Sequence, residues 1–128
     1  MSTRSTIWMK TNTGYSGIYC HFDGYKSGVG AMLKSNYNTP QKIKQLIALG
    51  AISSLGKEIG KKQDFQNPTN KDWTKAYHRD GNEKLRKLRA KKLSEVYIIA
   101  RNNWSDYIYI FENARWNLLV DGNILAVY

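Results

Sequence analysis

Cysteine, histidine and acidic residues are scarce in this chain of 128 residues, and each scarcity excludes something. Cys20 is the only cysteine, so no internal disulfide can form and the chain suits a reducing compartment. His21 and His78 are the only histidines, which confines imidazole chemistry to two short segments. No apolar run approaches the roughly 20 residues that cross a bilayer, so no membrane partner is expected. The first ten residues, MSTRSTIWMK, hold no apolar core of a secretory signal, and a cytoplasmic protein is expected.

The acidic deficit has a counterpart. Twenty Lys and Arg stand against ten Asp and Glu, a formal charge of +10. Such a charge draws polyanions: nucleic acid, acidic proteins and anionic membrane surfaces. It also serves simply to keep a surface soluble. Hydrophobic residues at 41% and charged residues at 23% are a globular composition, and the length suits one domain over 1–128 with one core.

The patterning predicts an α+β fold: an antiparallel β-sheet with about three helices packed on one face. Residues 5–11 and 15–22 read as a hairpin around Asn12-Thr13-Gly14, with Ile18, Cys20 and Phe22 on one face of the return strand. Val29, Met32, Leu33 and Tyr37 share a helical face over 28–37, capped by Ser27. Pro40 opens a second helix over 40–49, which Gly50 closes. Residues 51–55 read as a turn or short strand. Residues 56–72 form a long polar loop, a length that is often functional. Trp73 to His78 alternate as a strand. A helix follows from Ser94 to about Asn102, and then a meander over 106–112, 115–120 and 124–128.

Three sets of residues could carry function. The first joins Tyr19, His21, Asp23 and Tyr25 with His78, Arg79 and Asp80. Both segments contain His-x-Asp, whose two side chains share a side on a strand. If the segments met, His21, Asp23, His78 and Asp80 could ligate a divalent metal or work as acid and base. Against this, Asp23-Gly24 and Asp80-Gly81 are ordinary turn pairs, and the set also reads as an internal hydrogen-bond network. The second set is the basic segment 84–92, KLRKLRAKK. As a helix it would spread Lys84, Arg86, Lys87, Arg89, Lys91 and Lys92 over two faces, with a narrow apolar stripe at Leu85 and Leu88. These cations could neutralise phosphates. The third set is Trp73, Trp104 and Trp116, which could stack on bases. No zinc-finger, RNP or Gly-x-x-Gly pattern is present. Gly24, Gly28 and Gly30 lack the spacing of a nucleotide loop. Cys20 reads as a small core residue, and nothing in the pattern calls for a cofactor.

The run IYCHFDGYKSGVGAMLKSNYNTPQKIKQLIALGAISSLG, with AYHRD further on, resembles a family of small phage and prophage proteins. The resemblance rests on Tyr19 to Tyr25, Thr39 to Gly50, Ile52 to Gly56 and Tyr77 to Asp80, and it covers residues 4–80. Lys26 stands where the family often has proline, and Ala51 where it has an acidic residue. The family's tail is shorter and less basic than residues 82–128. The resemblance implies no particular catalytic residue. It implies a protein made in a bacterial host cell to redirect the host or disarm its defences, as anti-CRISPR proteins do. The partner so implied is a host protein or nucleoprotein complex, a CRISPR effector among them, with RNA or DNA contact through the basic segment. A nucleic-acid-binding accessory protein of phage replication or transcription is the alternative, and a small His/Asp metal-dependent enzyme the third.

Overall fold

The computed structural model describes residues 2–128. The fold is α+β, as the pattern predicts. An eight-stranded sheet runs in the order β4-β3-β2-β1-β6-β7-β8. Its strands are β1 (Ser5–Thr11), β2 (Gly14–Cys20), β3 (Ile52–Ser54), β4 (Lys75–Ala76), β5 (Leu88–Ala90), β6 (Tyr107–Glu112), β7 (Arg115–Asp121) and β8 (Ile124–Val127). β5 lies off that path and pairs with residues 15–17 of β2. The helices are α1 (Ala31–Asn36), α2 (Pro40–Ala48), α3 (Tyr77–Gly81) and α4 (Leu93–Asn102), and a π turn over Lys26–Gly30 leads into α1.

Two features differ from the sequence expectation. The sheet is mixed, because β1 runs parallel to β6 and β2 parallel to β3. The helices also cover both faces. β1 explains both differences. Its residues 5–9 are buried without a break, which is the signature of a strand covered on two sides. Ile7 and Met9 face the larger core with Leu33 of α1 and Ile43, Leu46 and Ile47 of α2. Trp8 faces the other way, into a second core with Val96 and Ala100 of α4. Each large apolar side chain fully buried this way contributes about 1.5–3 kcal/mol.

Local chemistry sets the element ends. Thr39 caps α2, its hydroxyl accepting from Lys42 N at 3.3 Å, and Pro40 occupies the first turn. Gly50, at φ +74°, ends it. α4 starts at Leu93 rather than after Ser94, and Lys92 caps it without a side-chain bond. Glu95 instead fixes the chain that leads into α4 by accepting from Lys91 N at 2.6 Å. Tyr77 and His78 begin α3 instead of extending β4, because Ala76 N donates to Asp80 at 2.8 Å across one helical turn.

The second core leaves no room for a side chain at position 17. A Cβ at Gly17 would lie 2.5 Å from Trp8 Cδ2 and 2.9 Å from the Ile7 carbonyl oxygen, whereas Gly122 faces open space. Gly17→Ala is expected to cost about 2 kcal/mol, as overpacking does, and Gly122→Ala almost nothing. Urea midpoints of the two variants against the parent check this. Equal midpoints would contradict the packing described.

Candidate functional site

Asn82, in the left-handed conformation at φ +58°, ends α3, and the basic segment leaves it extended rather than helical. Ala51 N donates to the Arg86 carbonyl at 2.9 Å, and β5 then joins β2. Leu88 and Ala90 turn into the second core while Arg89 points out. The apolar residues thus follow a period of two, which overrides the helical spacing of Leu85 and Leu88. Lys84, Arg86, Lys87, Arg89, Lys91 and Lys92 are all exposed.

Two concavities flank this segment. One, of about 710 Å³, lies between the β1–β2 hairpin, β5 and α4, with Ile98, Ile99 and Ala90 in its wall and Arg89 and Lys91 beside them. Its aromatic residue, Tyr15, is occupied: its hydroxyl donates to Glu112 at 2.9 Å. The other comprises two neighbouring hollows, of about 380 and 220 Å³, which share Tyr19, Ala51 and Arg86 in their walls and are taken together as one groove. Its chemistry is more directed. Arg4, Arg86 and Lys84 bring three cations to it, and Glu83 is its one carboxylate. Tyr19, His21, Tyr77 and Trp104 bring aromatic rings, and Asn102 and Asn103 bring amides.

The groove's floor is ordered from within. Tyr19 Oη and His21 Nδ1 share a hydrogen bond of 2.7 Å. The Phe22 ring meets the imidazole edge-on at 4.5 Å between centroids. Burial raises the Tyr19 phenol above its ordinary range, and the Arg4 guanidinium beside it partly opposes that rise. Burial likewise raises Tyr77, against a hydrogen bond from the Ser53 side chain. Both phenols therefore stay protonated at neutral pH and can donate.

Trp104 stands at the groove's rim, 75% exposed. It follows α4 in a Schellman closure: Trp104 N donates to the Arg101 carbonyl and Ser105 N to that of Ala100, both at 3.0 Å. That closure needs a left-handed residue at position 104, ordinarily glycine, and Trp104 adopts φ +60°. The conformation costs a side chain of this kind about 1–2 kcal/mol. Burial of the indole does not offset that cost. Of the other tryptophans proposed for stacking, Trp116 is buried with its Nε1 donating to the Tyr37 carbonyl at 2.8 Å. Trp73 is half-buried against Gly60.

The His/Asp set does not converge. Among the described residues no three of His, Cys, Asp and Glu come together as a metal site. Tyr19 and His21 line the groove, but Asp23 accepts from the Tyr25 hydroxyl at 3.0 Å in an exposed turn away from it. His78 Nδ1 lies 2.7 Å from the Glu83 carbonyl, closing α3. Arg79 and Asp80, expected on a binding surface, point inward. Asp80 accepts from Gln63 N, Ala76 N and the Arg79 guanidinium at 2.8–3.1 Å. Arg79 also donates to the carbonyls of Ile59 and Thr74. The pair thus pins the long loop 55–74 to α3. Arg4, Asn102 and Asn103, absent from the sequence expectation, border the groove instead. No local pattern marks them, and only the pairing of β1 with β6 brings Arg4 beside α4's end, where Asp106 N donates to its carbonyl.

Burial pushes Cys20 up to about 12, so its thiol is neutral and inert within the core. Among the described residues no helix is long and apolar enough to cross a membrane. No family model, curated protein or solved structure matches the chain.

Burial alone would raise the Asp80 carboxyl, but Arg79 and the amides of Ala76 and Gln63 outweigh it and hold it below the usual range. A depressed carboxyl contributes its full stability above the ordinary pKa of about 3.9. That contribution is lost as pH falls through the lower folded value. Asp80→Asn is expected to cost about 2–3 kcal/mol at neutral pH. The variant should also lose less stability than the parent between about pH 5 and pH 2. Urea midpoints across pH check this, and parallel curves would show that Asp80 does not carry the effect.

Proposed function

We propose that this chain is a phage-encoded binding protein that disarms a host defence nucleoprotein complex, as an anti-CRISPR protein does, by engaging that complex's nucleic acid in the basic, aromatic groove. The groove's lining carries the reading: three cations against one carboxylate, interleaved with aromatic rings and amides. Cations neutralise phosphates, and rings and amides meet bases, a combination that fits nucleic acid better than an acidic protein face. The formal charge of +10 would draw such a partner from a distance. The resemblance of residues 4–80 to phage and prophage proteins supplies the setting, and the extended basic segment is this chain's own addition to it.

Charge reversal tests the reading. With a fluorescently labelled single strand, anisotropy should show binding that weakens steeply with salt. Arg86→Glu should weaken it and lower the salt slope by about 0.7 for each phosphate that is no longer neutralised. Lys44→Glu, the same charge change on exposed α2 across the sheet, should do far less. Equal losses in both variants, or no retention at low salt, would overturn the nucleic-acid reading. In a bacterium whose CRISPR system restricts a phage, expression of the parent should raise plating efficiency and Arg86→Glu should not. No rise with the parent would remove the anti-CRISPR part of the proposal.

A further inference from the structure

We infer that Trp104 is a stacking platform for one unpaired base, so that the groove takes single-stranded nucleic acid in preference to duplex. This rests on the nucleic-acid reading of the groove and adds the form of strand it takes.

Trp104 serves no purpose in the fold that accounts for its identity. The Schellman closure of α4 needs only a backbone that tolerates positive φ, and glycine meets that need without a side chain. Asparagine also tolerates it, and one stands next door at 103, yet the strained position holds the bulkier residue. The indole is 75% exposed, whereas Trp8 and Trp116 are buried in the two cores. Neither helix capping nor core packing therefore explains a large ring here, while a ligand that covers the ring does.

Its neighbours identify that ligand. Arg4 and Arg86 lie in the same groove, where they can hold a phosphate while a base rests on the indole. Asn102 is exposed at the rim, and Asn103 lines the groove with its Nδ2 donating to the Ile99 carbonyl at 2.8 Å. Amides of this kind can meet the edge of an exposed base. At about 380 Å³, this part of the groove is near the lower end of small-ligand sites, enough for a single nucleotide unit. A duplex keeps its bases stacked on one another and offers no free face to an indole. A single strand offers one at every position.

Trp104→Gly is the informative variant, because it removes the ring and relieves the left-handed residue together. Its urea midpoint should equal or exceed the parent's. Its affinity for a single strand of about twelve nucleotides should fall about tenfold. Trp104→Phe, which keeps a ring, should retain most of the binding. The parent's tryptophan emission should be quenched by the single strand and much less by the matching duplex, and Trp104→Gly should lose that quenching. Equal binding of single strand and duplex, with Trp104→Gly as tight as the parent, would overturn the stacking role while leaving a phosphate-binding groove in place. No salt-sensitive binding of either strand form by the parent would overturn this inference together with the reading beneath it. A midpoint below the parent's would show that the indole serves the fold, and would overturn the inference as well.

Discussion

The parallel pairing of β1 with β6 is the constraint on which the rest of the molecule depends. Ser5 to Met9 register against Tyr107 to Phe111, and the pairing joins the N-terminal hairpin to the C-terminal meander. A parallel pair needs a long crossover, and everything between β1 and β6, β2 included, is that crossover. β1 and β6 become central strands, so both of their faces need cover. α1 and α2 supply it on one side, and α4 on the other. The two cores share no side chain, yet neither can form without the strands that divide them.

The crossover contains more chain than cover requires, and polar groups organise the excess. Asp80 and Arg79 hold loop 55–74 from one side. Gln63 holds it from within, its Oε1 accepting from Thr69 N at 3.0 Å. Tyr37, fully buried, donates to the Gly56 carbonyl at 2.7 Å. A loop of this length is thus shaped by buried hydrogen bonds as well as by the packing of Leu55 and Ile59 on the larger core. Such bonds are directional, and a loop fixed by them has one conformation rather than several. The motif Tyr77-His78-Arg79-Asp80 owes its chemistry-like look to this work.

The groove arises where the two halves of the chain meet. Tyr19 and His21 come from β2 and the residue just past its end, Arg86 from the pinned basic segment, Arg4 from the lead into β1, and Trp104 from the end of α4. Its position follows from the same strand pairing, since the N-termini of β1 and β6 lie side by side and α4 ends just before β6. The Tyr19–His21 pair is held by its 2.7 Å hydrogen bond, and the backbones of Arg4 and Arg86 are tied to those of Asp106 and Ala51.

Much of the fold was legible in the residues. The first hairpin, α2 and the last three strands follow from alternation, capping and turn chemistry, which act within a few residues of the chain. The α+β class, the excess of basic charge and the isolation of Cys20 are likewise properties of the sequence by itself. The parallel pairing was not legible, because it joins residues about a hundred positions apart and leaves only a weak mark, the unbroken burial of β1. The spacing of Leu85 and Leu88 would suit a helix in the basic segment, and only the second core makes Leu88 and Ala90 the pair that counts. The same holds for the aromatic residues. Composition shows four tryptophans alike, and tertiary structure alone decides that two fill cores, one leans on a loop glycine and Trp104 stands exposed at the rim of a cationic groove, because burial depends on what the rest of the chain brings to each ring.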